Sequence, residues 1–233
     1  MMKKTFFLII IASILLACDK TENEEGILDT FFGESKSNTL SRPNSYDQMQ
    51  PSANVYLQEF DSAETSDWPD KNDENAQHAN ENGELIIRGK KSHYTWKNLT
   101  GLNQSSDFQI EIRIQFNFVS VTSTEAYMGI VWGINDDKKT FNYLSLFNNA
   151  NQTMQIGNYD GEKYNNRYAQ PSNLTKNAHH IYTIRKVGSN IYIFANKRYI
   201  CEFSYTSFPS NYGFWLTTNG IVSVDYVRVD YIN

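Results

Sequence analysis

Two stretches with a two-residue hydrophobic period stand out along the chain. In residues 107–118, polar side chains alternate without a break with Phe108, Ile110, Ile112, Ile114, Phe116 and Phe118. This period predicts a long strand with one buried face and one solvated face. Residues 126–134 alternate as well, but both of their sets are apolar or small, so we expect a strand covered on both faces. We expect the two strands to form a hairpin that buries its apolar face against a second sheet.

Turn-forming residues divide the rest of the chain into further short strands. We predict strands at 55–60, 84–89, 92–98, 140–147, 153–159, 178–187, 190–195, 198–204, 211–218 and 221–232. Hairpin turns are expected at 89–91, 148–152, 188–189, 196–197 and 219–220, where Asn219-Gly220 is the strongest such pair. Residues 61–82 and the segment around Pro171 are expected to be loops. No window of ten residues shows a helical stripe, so the sequence predicts an all-β sandwich or barrel.

The amino terminus has the features of an export signal. Lys3 and Lys4 precede an apolar run, and Leu15-Leu16-Ala17-Cys18 ends it with small residues. Residues 1–17 are therefore predicted to be a signal peptide. The tetrapeptide resembles a bacterial lipobox, which implies that Cys18 becomes the lipidated first residue of the mature protein. The alternative is an ordinary secreted protein in which Cys18 falls at the cleavage point by chance.

Residues 18–54 are polar and carry no sustained hydrophobic period, so we expect a flexible tether followed by one domain at 55–233. The acidic run after Cys18, residues 19–25, resembles the signal of Bacteroidetes lipoproteins that are exposed on the outer membrane. A solvated acidic linker is the plainer explanation of the same residues. The expected localisation is the outer membrane, with lipid anchoring and cell-surface exposure.

Charge and cysteine content narrow the possible partners. Without Lys3 and Lys4, 19 basic residues face 26 acidic ones, a formal charge of -7. An acidic chain without a basic cluster argues against nucleic acid and against electrostatic docking on anionic lipid. If Cys18 carries lipid, Cys201 has no partner for an intrachain disulfide. Cys201 lies on a predicted strand between Tyr199 and Phe203, which is typical of a small core residue.

Several short motifs occur in a recognisable order. They are Glu59-Phe60-Asp61, Gly83-Glu84-Leu85, Asp107-Phe108-Gln109-Ile110-Glu111, Gly129-Ile130-Val131-Trp132-Gly133 and the closing Val224-Asp225-Tyr226-Val227-Arg228-Val229. This order resembles the concanavalin A-like jelly rolls, a superfamily of laminin-G-like domains, lectins and glucanases. The resemblance implies a two-sheet antiparallel jelly-roll sandwich that binds glycans on or beside one sheet. Its motifs are structural and say less about function than about fold.

Catalytic chemistry is weakly represented. The glucanases of this superfamily carry their carboxylates on one strand, and here only Asp107 and Glu111 share a strand face. Four strand residues span about 13 Å, whereas glycoside hydrolysis needs carboxyl groups about 5 to 9.5 Å apart. No serine lies in a nucleophile elbow, and the adjacent His179 and His180 should point to opposite faces. No cofactor is expected. The acidic loop offers Asp67, Asp70 and Asp73 as candidate calcium ligands, and a solvated acidic loop without an ion is the favoured alternative.

Aromatic residues among amides supply the strongest functional indication. The chain has 15 Tyr, 14 Phe and 4 Trp. Flat rings cover the apolar faces of sugars, and neighbouring amides bind their hydroxyl groups. The candidate ligand-binding residues are Trp68, Tyr94, Trp96, Tyr143, Asn158, Tyr159, Tyr164 and Tyr168. For any single ring, packing in the sandwich is the competing explanation.

We therefore expect a surface lipoprotein whose sandwich binds a glycan without cleaving it, and which meets the membrane only through its lipid. There are two alternative hypotheses. In the first, the chain is a glycoside hydrolase with carboxylates brought together from different strands. In the second, it is an interaction module that docks on an outer-membrane protein partner.

Overall fold

A computed structural model describes residues 43–62, 66–124, 126–205 and 211–233 of the 233-residue chain. The predicted signal peptide, Cys18 and the first part of the predicted tether lie outside these residues, so their assignments stay predictions. Among the residues that the structure describes, no helix combines the length and the apolar character needed to cross a membrane.

The described residues form fifteen strands and one short 3-10 turn, Tyr46–Gln48. The strands are β1 (Pro51–Glu59), β2 (Lys71–Asn72), β3 (Ala76–Glu81), β4 (Glu84–Gly89), β5 (His93–Asn98), β6 (Phe108–Asn117), β7 (Tyr127–Asn135), β8 (Thr140–Phe147), β9 (Thr153–Tyr159), β10 (Tyr164–Pro171), β11 (His179–Val187), β12 (Asn190–Ala195), β13 (Arg198–Ser204), β14 (Asn211–Leu216) and β15 (Ile221–Ile232).

These strands build two antiparallel sheets. The larger has nine strands in the order β13-β12-β11-β6-β15-β4-β3-β2, with β1 paired to the second half of β15. The smaller has six strands in the order β10-β9-β8-β7-β14-β5. The predicted fold class, a two-sheet antiparallel jelly-roll sandwich, is therefore confirmed.

The core lies between the sheets, where the long alternating strand predicted it. All six apolar residues of that strand, from Phe108 to Phe118, are buried in one cluster. They face Met128, Ile130 and Trp132 of β7, which belong to the same cluster. Full burial of each Ile or Phe contributes roughly 1.5–3 kcal/mol, so this strand alone supplies a large share of the driving force for folding.

The expected hairpin of the two organising strands is wrong. β6 lies in the nine-stranded sheet and β7 in the six-stranded sheet, so they oppose each other across the core. The turns at 89–91 and 219–220 likewise connect different sheets, β4 to β5 and β14 to β15. These two corners meet, because the Gly89 amide donates to the Gly220 carbonyl at 2.9 Å and the Asn219 amide to the Gly89 carbonyl at 2.8 Å. The glycines here mark sheet-to-sheet corners, while the hairpins β8–β9, β11–β12 and β12–β13 form as predicted.

Three strands lie in segments that were expected to be loops. β2 and β3 extend one edge of the nine-stranded sheet, and β10 forms an edge of the other. Edge strands pair on one side only and tolerate polar residues, so their hydrophobic period is weak. Pro171 ends β10, a position where a missing amide proton costs little.

The folded part begins earlier than the predicted Val55, since β1 starts at Pro51. Residues 43–50, termed the N-terminal strap, lie on the outer face of the nine-stranded sheet, where they cover the buried side chain of Arg185. The guanidinium group donates to four strap carbonyls at 3.0–3.4 Å. These belong to Pro43, Ser45, Tyr46 and Met49. Carbonyl acceptors exist in any sequence, so hydrophobic periodicity gives no indication of this attachment.

Candidate functional site

The outer face of the six-stranded sheet carries a layer of aromatic side chains. Successive strand residues point to opposite faces. In β7 the core takes Met128, Ile130 and Trp132, so Tyr127, Gly129 and Val131 point outward. The same parity turns the following rings outward on the other five strands or their ends: Tyr94, Trp96, Phe141, Tyr143, Tyr159, Tyr164 and Trp215. The second apolar face predicted for β7 is thus the floor of this layer.

Trp215 is the centre of the layer. Its ring lies 4.9 Å from Tyr127, 5.2 Å from Phe141 and 5.6 Å from Tyr164, measured between ring centroids. Trp215 is only 8% exposed, whereas Tyr164 is 47% exposed. The buried indole therefore supports the layer, and the Tyr164 ring presents its surface to solvent.

Two adjoining depressions share Tyr164 and Trp215. The wider one has a volume of about 280 Å³ and is lined by Ser92, His93, Tyr94, Lys139, Phe141, Tyr159, Tyr164 and Trp215. The smaller one, termed the side pocket, has a volume of about 100 Å³. It is lined by Tyr127, Tyr143, Ser145, Phe147, Gln155, Tyr164 and Trp215.

A single row of paired residues forms the floor of the side pocket. Trp215 of β14 pairs with Gly129 of β7, Gly129 with Ser145 of β8, and Ser145 with Gln155 of β9. A Cβ atom at Gly129 would lie 2.2 Å from the carbonyl oxygen of Leu144, so only glycine fits at this point of the row. The backbone of Leu144 and Ser145 closes on this position, so the row carries no side chain between the indole and the two polar side chains.

The charged groups near the site lie at its rim, where Lys139 lines the wider depression and the Asp136 carboxylate approaches the Tyr94 hydroxyl. The sequence ranges of the six strands contain no Asp or Glu. Burial lowers the pKa of His93, which keeps that imidazole uncharged. Burial also raises the pKa of Tyr143 to about 12, with the neighbouring Tyr127 adding to the rise. The Tyr143 hydroxyl therefore keeps its proton and donates to the Asn166 carboxamide oxygen at 2.7 Å.

Four of the eight predicted ligand-binding residues come together here. Tyr94, Tyr143, Tyr159 and Tyr164 line the two depressions. Trp96 is half-buried and packs against the same layer from β5 without lining either depression.

The other three predicted residues lie elsewhere. Trp68 is 3% exposed in the main core, where its indole NH donates to the Tyr212 hydroxyl at 3.0 Å. Tyr168 packs against that core as well. Asn158 shares its face with the core residue Ile156, two positions earlier, so it points away from the rings. Polar neighbours in the sequence predict surface positions for all three residues. In the structure they lie on the side of their sheet or loop that faces the core.

Sequence reasoning missed Trp215, Tyr127, Ser145 and Gln155. On β14 the side chains of Tyr212, Phe214 and Leu216 point into the core, and Trp215, between the last two, points to the opposite face. An aromatic residue on the second face of an apolar strand is the pattern that would have indicated Tyr127 and Trp215, because no window of the sequence predicts a helix that could cover that face.

The acidic residues considered for metal binding or catalysis lie away from this layer. Asp70 accepts hydrogen bonds from the Asn80 amide and side chain, and Asp73 from the amides of Asn75 and Ala76. Within the described ranges, no three His, Cys, Asp or Glu side chains form a group that would hold a metal, and Asp67 belongs to none. Glu111 accepts from the Tyr226 hydroxyl at 2.9 Å on the nine-stranded sheet, remote from the rings.

Comparison with known proteins supports the fold and leaves the family open. No family model matches the sequence, and no curated protein matches it. Solved structures do match. A galectin-like protein of unknown function from Bacillus subtilis has a TM-score of 0.55 at 10% identity, covering 79% of this chain and 98% of its own.

Two further structures have the same architecture. The CBM2 module of the evolved Dit protein of Lactobacillus casei BL23 phage J-1 has a TM-score of 0.54 at 12% identity, covering 79% of this chain and 97% of its own. A β-1,3-1,4-glucanase (lichenase) from a mouse hindgut metagenome has a TM-score of 0.51 at 10% identity, covering 76% and 98%. At such low identity these matches establish the jelly-roll fold and nothing about activity.

Proposed function

We propose that this protein binds carbohydrate on the outer face of its six-stranded sheet and does not cleave it. The observation that carries the proposal is the aromatic layer around Trp215, with two depressions and an exposed Tyr164 ring between them. A concave, mostly apolar surface with a few polar groups is the usual form of a small-ligand site. Tyrosine rings offer apolar faces together with hydroxyl groups, which matches the two kinds of surface on a sugar.

Hydrolysis is the second candidate function, because structural neighbours, the lichenase among them, are named as glucanases. A glycosidase of the usual type needs two carboxyl groups beside the scissile bond. The strands below the rings carry none, and the Asp136 carboxylate, 3.4 Å from the Tyr94 hydroxyl, lies in the turn after β7. Asp137 follows in the same turn, and Asp160 and Glu162 lie in the adjacent turn between β9 and β10, where Asp160 accepts from the amides of Glu162 and Lys163 and from the Asn165 side chain. With no carboxylate on the strands themselves, this face favours binding over cleavage.

The decisive experiment compares two tyrosines of similar exposure on opposite sheets. Residues 19–233, made without the signal peptide, are screened on a glycan array, and affinities for the best ligands are measured by calorimetry. Tyr164→Ala is expected to weaken binding at least about tenfold, since exposed aromatic anchors carry much of the affinity of such sites. Tyr199→Ala removes a 43% exposed ring from β13 of the other sheet and should leave affinity unchanged.

Three outcomes would contradict the proposal. They are the absence of glycan binding by the folded wild-type protein, equal losses in the two variants, and release of reducing ends from bound oligosaccharides. The last of these would establish the hydrolase instead.

The proposal extends to location. The lipobox-like Leu15-Leu16-Ala17-Cys18 and the acidic run that follows support a lipoprotein held at the outer-membrane surface through Cys18. A tether between the lipid and the strap would place the sandwich clear of the bilayer.

A further inference from the structure

We propose that the side pocket accepts the acetamido group of an N-acetylhexosamine, whose pyranose ring lies in the wider depression. This inference rests on the proposed function and names the class of sugar. Three features of the side pocket support it: its size, its polar residues and its position beside the wider depression.

The side pocket is the smaller of the two depressions, at about 100 Å³ against about 280 Å³ for the wider one. A substituent of a few heavy atoms fits that space. The walls are aromatic rings, among them Tyr127, Phe147 and Trp215, and a methyl group loses its contact with water when it lies against them.

Two polar side chains at the floor have no hydrogen-bond partner among the residues that the structure describes. Ser145 is 3% exposed and Gln155 is half-buried, and neither side chain hydrogen-bonds to another residue in the described part of the chain. An occupant that covers these two groups without bonding to them leaves them unpaired at a cost in free energy, so the pocket favours an occupant that bonds to both. The Ser145 hydroxyl and the Gln155 carboxamide each donate and accept.

These requirements single out an acetamide among the common sugar substituents. An acetamide has one NH donor, one carbonyl acceptor and a methyl group, which match the carboxamide, the hydroxyl and the ring walls. A carboxylate or sulfate would need a cation, and none of the seven lining residues is Lys, Arg or His. The methyl group of a 6-deoxy sugar would pack against the aromatic rings of the pocket but would form no hydrogen bond with Ser145 or Gln155.

The two depressions are also correctly placed for one sugar residue. Tyr164 and Trp215 line both, so a ring stacked at Tyr164 in the wider depression has its neighbouring substituent directed into the side pocket. The acetamido group and the pyranose ring of an N-acetylhexosamine are joined by a single bond, which suits adjoining spaces.

The test uses ligand pairs that differ only in this substituent. Calorimetry on residues 19–233 compares triacetylchitotriose with cellotriose, and N-acetylgalactosamine with galactose. In at least one pair the N-acetylated member should bind at least about tenfold tighter, the effect expected from two hydrogen bonds and a buried methyl group.

Variants assign that preference to the side pocket. Gln155→Leu keeps a side chain of similar length and removes the amide, so it should reduce the preference for the acetylated sugar to near unity. Gln170→Leu, an exposed glutamine on β10 outside the pocket, should keep the preference intact.

The outcomes separate the two proposals. Equal affinity within both pairs, or tighter binding of the unacetylated sugars, overturns the acetamido assignment while sugar binding stands. A preference that survives Gln155→Leu overturns the assignment to this pocket. Failure of the folded protein to bind any glycan of the array overturns both proposals.

Discussion

Replacing Arg185 by Met should unfold the protein at a much lower urea concentration, because this buried cation holds the N-terminal strap against the nine-stranded sheet. Its guanidinium group bonds to the Gln109 carboxamide oxygen at 3.2 and 3.3 Å and to four strap carbonyls. Its charge also lies over the rings of Phe194 and Tyr46, 4.7 and 5.2 Å from their centroids.

The size of the loss follows from which acceptors regain water. Three of the strap carbonyl bonds are only partly buried, so water replaces the guanidinium group there once the strap loosens. The bonds to Gln109 and to the Met49 carbonyl are buried. Leaving two buried acceptors unpaired costs about 1–3 kcal/mol each. We therefore expect the free energy of unfolding to fall by about 2–6 kcal/mol.

Equilibrium urea denaturation followed by tryptophan fluorescence gives this difference, provided that the slope of the transition is unchanged. Arg88→Met is the matched control, because Arg88 forms an exposed ion pair with Glu81 at 3.0 Å and such pairs are worth about 0–1 kcal/mol. Deleting residues 19–50 should cost a similar amount, and combining the deletion with Arg185→Met should add little. Two results would show that the strap is not the binding partner of Arg185. The destabilisation by the deletion and by Arg185→Met could add in full, or Arg185→Met could destabilise the protein no more than Arg88→Met.

Two further outcomes test other parts of the molecule. Burial lowers the pKa of His78 to about 4, with the Lys71 cation adding to the effect, so the unfolded chain takes up a proton at higher pH than the folded protein. The free energy of unfolding, measured by urea denaturation, should therefore fall by up to about 3 kcal/mol as the pH drops from 6.5 to 4. His78→Leu should make it depend less on pH in this range. An unchanged pH dependence in the variant would contradict the assignment of this loss to His78. Cys18→Ala should abolish labelling by an alkyne-tagged fatty acid and move the protein from the membrane pellet to the soluble fraction, whereas membrane attachment of the unlabelled variant would exclude the lipid anchor.

The sandwich could be predicted because its core strands have a regular period. The alternation from Phe108 to Phe118 and the turns at 148–152, 188–189 and 196–197 depend on local rules, and the structure follows them. Sheet membership depends on which strands meet across the core. The pair Asn219-Gly220 favours a tight reversal of the chain whether the next strand joins the same sheet or the opposite one, so the local pattern misassigned β14 and β15 to a hairpin.

The candidate site was only half predictable for a related reason. The sequence criterion, an aromatic residue among amides, applies to Tyr94 and Tyr164 and equally to Trp68. Burial separates them, because Trp68 fills the core and bonds to Tyr212. Ser145 and Gln155 belong to the site through cross-strand register with Gly129, and register cannot be obtained from one strand at a time.

The alternation within β7 separates the determinants of folding from those of recognition. Met128, Ile130 and Trp132 pack in the core, while Tyr127 lines the side pocket on the opposite face together with Ser145 and Gln155, which are level with Gly129. A combinatorial library that varies Tyr127, Ser145 and Gln155, with Gly129 kept because its neighbours leave no room for a methyl group, should therefore yield new sugar specificities from one unchanged scaffold.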